Sequence, residues 1–133
     1  MRAHALSATL ALLAMAIAVQ PAKAQGDAKP ADSDARYKAS AHLYDTYCTQ
    51  CHGVNRNGKG VNTAGMAVQP RDHSDTAGMT SIPDDEMNKV IHEGGPAANK
   101  SALMPPWASV FTDAQITDMV AYLRKVCHCG STK

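Results

Sequence analysis

Cys48 and Cys51 stand three residues apart, and His52 follows directly. At helical spacing the two thiols share one face. Each can form a thioether with one of the two vinyl groups of a porphyrin, while the adjacent histidine offers a ring nitrogen to the iron. A Cys-x-x-Cys pair alone also occurs in zinc ribbons and thiol oxidoreductases. The histidine, together with signs of export at the N-terminus, makes the motif an attachment site for one covalent haem of the c type.

An iron held by His52 needs a second protein ligand or an open face, and that choice separates electron carriers from enzymes and gas binders. Five methionines follow residue 24: Met66, Met79, Met87, Met104 and Met119. Met87 and Met119 fall on apolar helix faces and read as core. Met66 and Met79 lie in the loop after the haem motif and are open as ligands. Met104 has the stronger case, because Pro105 and Pro106 stiffen the backbone beyond it and a weak thioether ligand must be held in place. The expected iron ligands are therefore His52 and Met104.

Helices must deliver these groups. Tyr37, Ala41, Tyr44, Cys48 and Cys51 recur at steps of four, three, four and three, one stripe that brings both thiols to the inward face, with Asp34 as N-cap. Residues 53–80 are rich in Gly, Asn, Pro and Asp and read as an ordered loop that wraps something, since a structureless connection of that length is uncommon. Pro83 and the acidic run Asp84-Asp85-Glu86 open a second helix. Met87, Val90 and Ile91 mark its buried side, and Gly94-Gly95 ends it. Thr112 and Gln115 make a capping box for the last helix, with Phe111 and Ile116 as a hydrophobic staple. Ile116, Met119, Val120, Leu123 and Val126 continue it at helical spacing. No segment alternates like a strand, so the fold class is all-α, three or more helices around the cofactor.

The N-terminus has the form of an export signal. Arg2 precedes an apolar stretch of 14 residues, Leu6 to Val19, and Ala22-Lys23-Ala24 supplies a small-x-small cleavage pattern. That stretch is short for a membrane span. The expected organisation is a signal peptide over 1–24, a flexible leader over 25–35, one domain over 36–130 and a tail over 131–133. Loss of Arg2 and Lys23 leaves 11 of the 13 basic residues against 12 acidic ones. A net charge of −1, lowered further by haem propionates, excludes nucleic acid or an anionic membrane as the main partner. One Phe, one Trp and four Tyr are few for a core, which suits a porphyrin that supplies apolar surface.

The chain resembles the class I c-type cytochromes of the small monohaem bacterial type over residues 36–126. The shared pattern is Cys-x-x-Cys-His after a first helix, a Pro-Arg-Asp loop, a Met-Pro-Pro loop, and a helix carrying Ala-Tyr-Leu-Arg. The resemblance implies that Met104 is the distal ligand and that the Pro70 carbonyl accepts the other N–H of His52, which would fix its tautomer. It also implies Arg71 beside a propionate. Relatives cross their first and last helices through a glycine against an aromatic residue. Tyr122 matches the aromatic, whereas Ser40 stands in the glycine's place.

Cys127-His128-Cys129 departs from that pattern. A short-range disulfide, easily opened because its ring is small, is the default in an oxidising compartment. A link to another chain, or a copper or zinc site that includes His128, is the alternative. His42, His73 and His92 read as surface residues, and Arg56, Lys59 and Lys100 as cations near the haem edge. The leading expectation is a soluble monomeric periplasmic carrier of single electrons, not an enzyme. Its partners would be redox proteins such as a periplasmic reductase or oxidase, or a membrane respiratory complex. An enzyme or gas or peroxide sensor with an open sixth site, or a haem-free zinc module on Cys48, Cys51, Cys127 and Cys129, stands beside it. Rapid carbon monoxide binding would favour the former and a colourless protein the latter.

Overall fold

Two helices at opposite ends of the chain cross over each other and hold the rest together. The structure, a computed structural model, describes residues 33–130. The stretch expected to be a signal peptide (1–24), most of the expected leader (25–35) and the expected tail (131–133) lie outside the described residues. Among the described residues there are five α-helices and no strand: α1 Ser33–Tyr47, α2 Thr49–His52, α3 Thr76–Thr80, α4 Asp84–Glu93 and α5 Asp113–Val126. Single 3-10 turns cover Val61–Thr63 and Gly95–Ala98.

Helix α1 begins inside the stretch read as leader, so Asp34 lies within its first turn and not ahead of it. Its buried residues are Ser40 and Tyr44, one turn apart. The Tyr122 ring of α5 lies 5.1 Å from Tyr37 and 5.6 Å from Tyr44, residues that flank Ser40 by three and four positions. Ser40 is 2% exposed. The small side chain thus occupies the crossing, where a longer one would overpack it.

Helix α5 starts as its local code requires. Thr112 Oγ1 accepts from the Gln115 N–H at 3.2 Å, and Gln115 Oε1 accepts from the Thr112 N–H at 2.8 Å. The helix buries Ile116, Met119, Val120, Tyr122, Leu123 and Arg124. Burial of an Ile or Leu side chain contributes about 2 kcal/mol, so this face is a main source of stability. With Tyr44, Met79, Met87, Ile91 and Phe111 it forms the core. Helix α4 carries Asp84, Asp85 and Glu86 in its first turn, where the helix dipole favours them, and ends at Gly94 with φ 86°.

The apolar stripe does not identify Arg124, which is 5% exposed. Its guanidinium donates to Asp84 Oδ1 at 2.7 Å, to the Met79 carbonyl at 2.7 Å and to the Ile82 carbonyl. It fastens α5 to the ends of α3 and α4. Cys127 and Cys129 are joined by a disulfide just beyond α5. Thr76 of α3 donates to the Cys127 carbonyl at 2.6 Å.

Candidate functional site: a haem cavity

The helix that carries the thiols is not continuous. It breaks at Cys48, between α1 and α2, although the hydrogen bonds from Cys48 N–H to the Tyr44 carbonyl (2.9 Å) and from His52 N–H to the Cys48 carbonyl (2.8 Å) carry the backbone through. Cys48, Cys51 and His52 therefore stay together on one wall of a cavity of about 500 Å³. The loop that follows folds back onto this motif, with the Gly60 N–H donating to the Cys51 carbonyl at 3.0 Å. A Cβ at residue 60 would collide with the Gln50 and Cys51 backbone, so only glycine permits that approach.

Met104 lines the same cavity from the connection between α4 and α5. Its carbonyl accepts from the Gly95 N–H at 2.9 Å. Met66, Met79, Met87 and Met119 reach the cavity too. Met79, Met87 and Met119 are core residues, whereas Met66 and Met104 are half-buried. The remaining wall is largely apolar, including Ile82, Val90, Ile91 and Leu123.

His52 Nδ1 lies 3.1 Å from the Arg71 carbonyl. A carbonyl only accepts, so Nδ1 carries the proton and Nε2 keeps its lone pair, the tautomer an iron ligand needs. This corrects the expectation for Pro70 by one residue. The Pro70 carbonyl packs instead against Gly58, where a Cβ would lie 2.5 Å away. Pro70 and Arg71 both line the cavity. Burial lowers the His52 pKa against the opposing effect of the Arg71 hydrogen bond, which keeps the ring neutral. Burial, then the neighbouring Cys51 and Asp45, push the Cys48 thiol up to about 12.

His73 is not a surface residue. Its ring stacks on His52 with centroids 4.3 Å apart and planes 15° from parallel. Its Nδ1 shares a hydrogen bond with the Tyr44 hydroxyl at 3.0 Å. Burial, then His52 and Arg71, lower its pKa well below the ordinary histidine value. His42 is exposed and His92 is half-buried beside Asp113, 3.6 Å away.

Of the three expected edge cations, only Lys100 lines the cavity. Lys59 is exposed elsewhere. Arg56 is committed to the helix crossing: it donates to the Tyr122 hydroxyl at 2.8 Å, pairs with Asp45 at 2.6 Å and lies 5.1 Å from the Tyr44 ring centroid. Cys127 and Cys129 are bonded to each other and are not available to a zinc site with Cys48 and Cys51. Among the described residues no three His, Cys, Asp or Glu side chains gather to hold a metal ion.

The cavity fits a porphyrin in size, since pockets for bound organic groups span about 300–1,000 Å³. One polar atom also requires a partner. The Trp107 Nε1–H is buried with no hydrogen-bond acceptor among the described residues. Its ring is held by stacking on Phe111 (5.4 Å, 14°) and by the edge of Tyr47. Buried donors are rarely left without acceptors, and a haem propionate would supply one.

Comparison with known proteins agrees with the cavity. The family of c-type cytochrome domains described as cytochrome c oxidase, cbb3-type, subunit III matches residues 35–123. The chain belongs to this family. A covalent haem c and haem-based electron transfer come with that membership. A quinohemoprotein alcohol dehydrogenase, ADH-IIG of Pseudomonas putida, is 30% identical over 112 residues, 82% of this chain and 14% of that protein. The cytochrome therefore spans only a small part of that relative. Two solved structures share its fold at 24% identity and 65% coverage of this chain. One is the KustC0563 c-type cytochrome (TM-score 0.53, 95% of that chain). The other belongs to a Kuenenia stuttgartiensis reducing HAO-like protein complex (TM-score 0.50, 40% of that chain). The fold is that of a small all-α cytochrome c.

Sequence reasoning missed the Tyr44–His73–His52 array and the orphaned Trp107 N–H. Trp107 could have been found as the single tryptophan, directly after Met-Pro-Pro. His73 carried no such signal beyond its place three residues after Pro70.

Proposed function

We propose that this cytochrome is a soluble periplasmic one-electron carrier that holds a single haem c through Cys48 and Cys51, with His52 and Met104 as the iron ligands. The observation that carries this reading is the convergence of these four side chains on one cavity from α2 and the α4–α5 connection. The haem supplies an iron that alternates between the ferrous and ferric states. The protein's own groups set the conditions for it. Arg71 holds the proton of His52 at Nδ1 and leaves Nε2 for the metal. Gly95 anchors the Met104 carbonyl. A half-buried thioether followed by two rigid prolines suits a neutral ligand that favours the reduced state. The apolar wall keeps water from the iron and raises the potential further.

With His52 and Met104 both given to the iron, no ligand position would remain for substrate, and the cytochrome would carry electrons and not act as an enzyme. The quinohemoprotein alcohol dehydrogenase match and the oxidase-subunit family support a redox enzyme as donor or acceptor. The export signal read over 1–24 supports the periplasm as the compartment of that exchange. The test is a Met104→Ala variant matured on an exporting host. The oxidised wild type should show a thioether-to-iron charge-transfer band, and the variant should lose it and show a lower reduction potential. Retention of the band would reject Met104, and rapid carbon monoxide binding by the reduced wild type would favour an open-site enzyme or sensor.

A further inference from the structure

An imidazole bound to a metal through Nε2 keeps one soft freedom, rotation of the ring about the metal–nitrogen bond. The direction of the ring plane decides which iron d orbital its π system meets, and so the splitting of those orbitals. The Arg71 carbonyl holds one edge of the His52 ring through Nδ1 but leaves that edge able to act as a pivot. A flat group against the ring face removes the pivot. His73 is such a group, at 4.3 Å and 15°.

His73 is itself held from two sides. Its backbone N–H donates to the Arg56 carbonyl at 2.7 Å, and its Nδ1 meets the Tyr44 hydroxyl at 3.0 Å. The Tyr44 ring also stands edge-on to it, 5.9 Å away at 72°. Tyr44 is 1% exposed and lies within the α1–α5 crossing. A rigid chain of contacts therefore runs from the helix crossing through Tyr44 and His73 to His52. A phenyl ring at residue 73 could stack but would have no hydrogen bond to stop it sliding.

We propose that His73 is a positioning residue for the iron ligand: pinned by Tyr44 and laid on His52, it fixes the plane of the His52 imidazole and thereby the electronic symmetry and reduction potential of the iron. This rests on the reading of His52 as the axial ligand. The test uses matured holoprotein, electron paramagnetic resonance of the oxidised state and a redox titration. His73→Phe keeps a ring without Nδ1, and Tyr44→Phe removes only the hydroxyl. Each should shift and broaden the g-values and move the midpoint potential in the same direction. The double variant should add nothing further, because both changes break one hydrogen bond. His73→Ala should shift the g-values more, and the two phenylalanine variants decide the matter if it fails to fold. His52→Ala serves as the control and should lose the low-spin signal. If that control loses the signal while the residue 73 and 44 variants keep wild-type g-values and potential, this proposal alone is overturned. If His52→Ala keeps the wild-type spectrum, the ligand reading falls and the proposal with it.

Discussion

At the scale of single residues, burial changes what the site's side chains can do. The Cys48 thiol, pushed up to about 12 from an ordinary 9.0, stays protonated in the folded apoprotein. At pH 8 its thiolate is on the order of a thousandfold scarcer than in an unfolded chain. Iodoacetamide should therefore label Cys48 of the folded apoprotein at least about a hundredfold more slowly than in urea. Equal rates, read by peptide mass, would contradict the burial argument. The sign of the stability effect follows. A folded-state pKa above the unfolded one gives stability that is complete below about pH 9 and lost as pH rises towards 12. That Cys48, Cys51 and His52 share one cavity wall was legible from their types and spacing. The acceptor for His52 was legible only to within one residue, since a backbone carbonyl leaves no trace in side-chain identity. His73 was misread because an irregular loop has no period that marks its inward face.

Among the elements, α4 and α5 were readable nearly to their ends, since capping box, acidic first turn and terminal glycine are local signals. Residues 53–80 were not, because that segment is shaped by where its backbone meets the haem motif. The glycines record this. Gly94 adopts φ 86° and ψ 172°, a region that side chains avoid. A Cβ there would lie 2.9 Å from the Met104 carbonyl and 3.0 Å from Pro106 N. Gly94→Ala should cost about 2–3 kcal/mol and displace the Met104 loop. Denaturant unfolding gives the first value, and a weakened thioether-to-iron band reports the second. An unchanged band with the stability loss alone would show that the loop tolerates the added methyl. The short segment α3 was hidden by its length, with only the buried Met79 to mark it.

Over the whole molecule, stability depends on tying distant segments around a cavity that a cofactor fills. Arg124 does much of this, and its presence in the Ala-Tyr-Leu-Arg run was visible while its role was not. A buried guanidinium among three acceptors can be placed only once the chain is folded. Arg124→Ala leaves Asp84 and two carbonyls without their donor and should lower stability by about 3 kcal/mol in a urea titration of the holoprotein. A change below about 0.5 kcal/mol would mean that water replaces the side chain readily. The all-α class and the cytochrome c fold were legible because helical periods and the attachment motif agree with each other. Everything rests first on covalent capture of a porphyrin by Cys48 and Cys51, at the start of α2 and within it. Trypsin digestion of the matured protein and mass measurement of the peptide Ala39–Arg56, which holds both thiols and His52, tests this directly. The account predicts that peptide at its own mass plus one haem, absorbing in the Soret region. A peptide with the mass of its amino acids alone would contradict it.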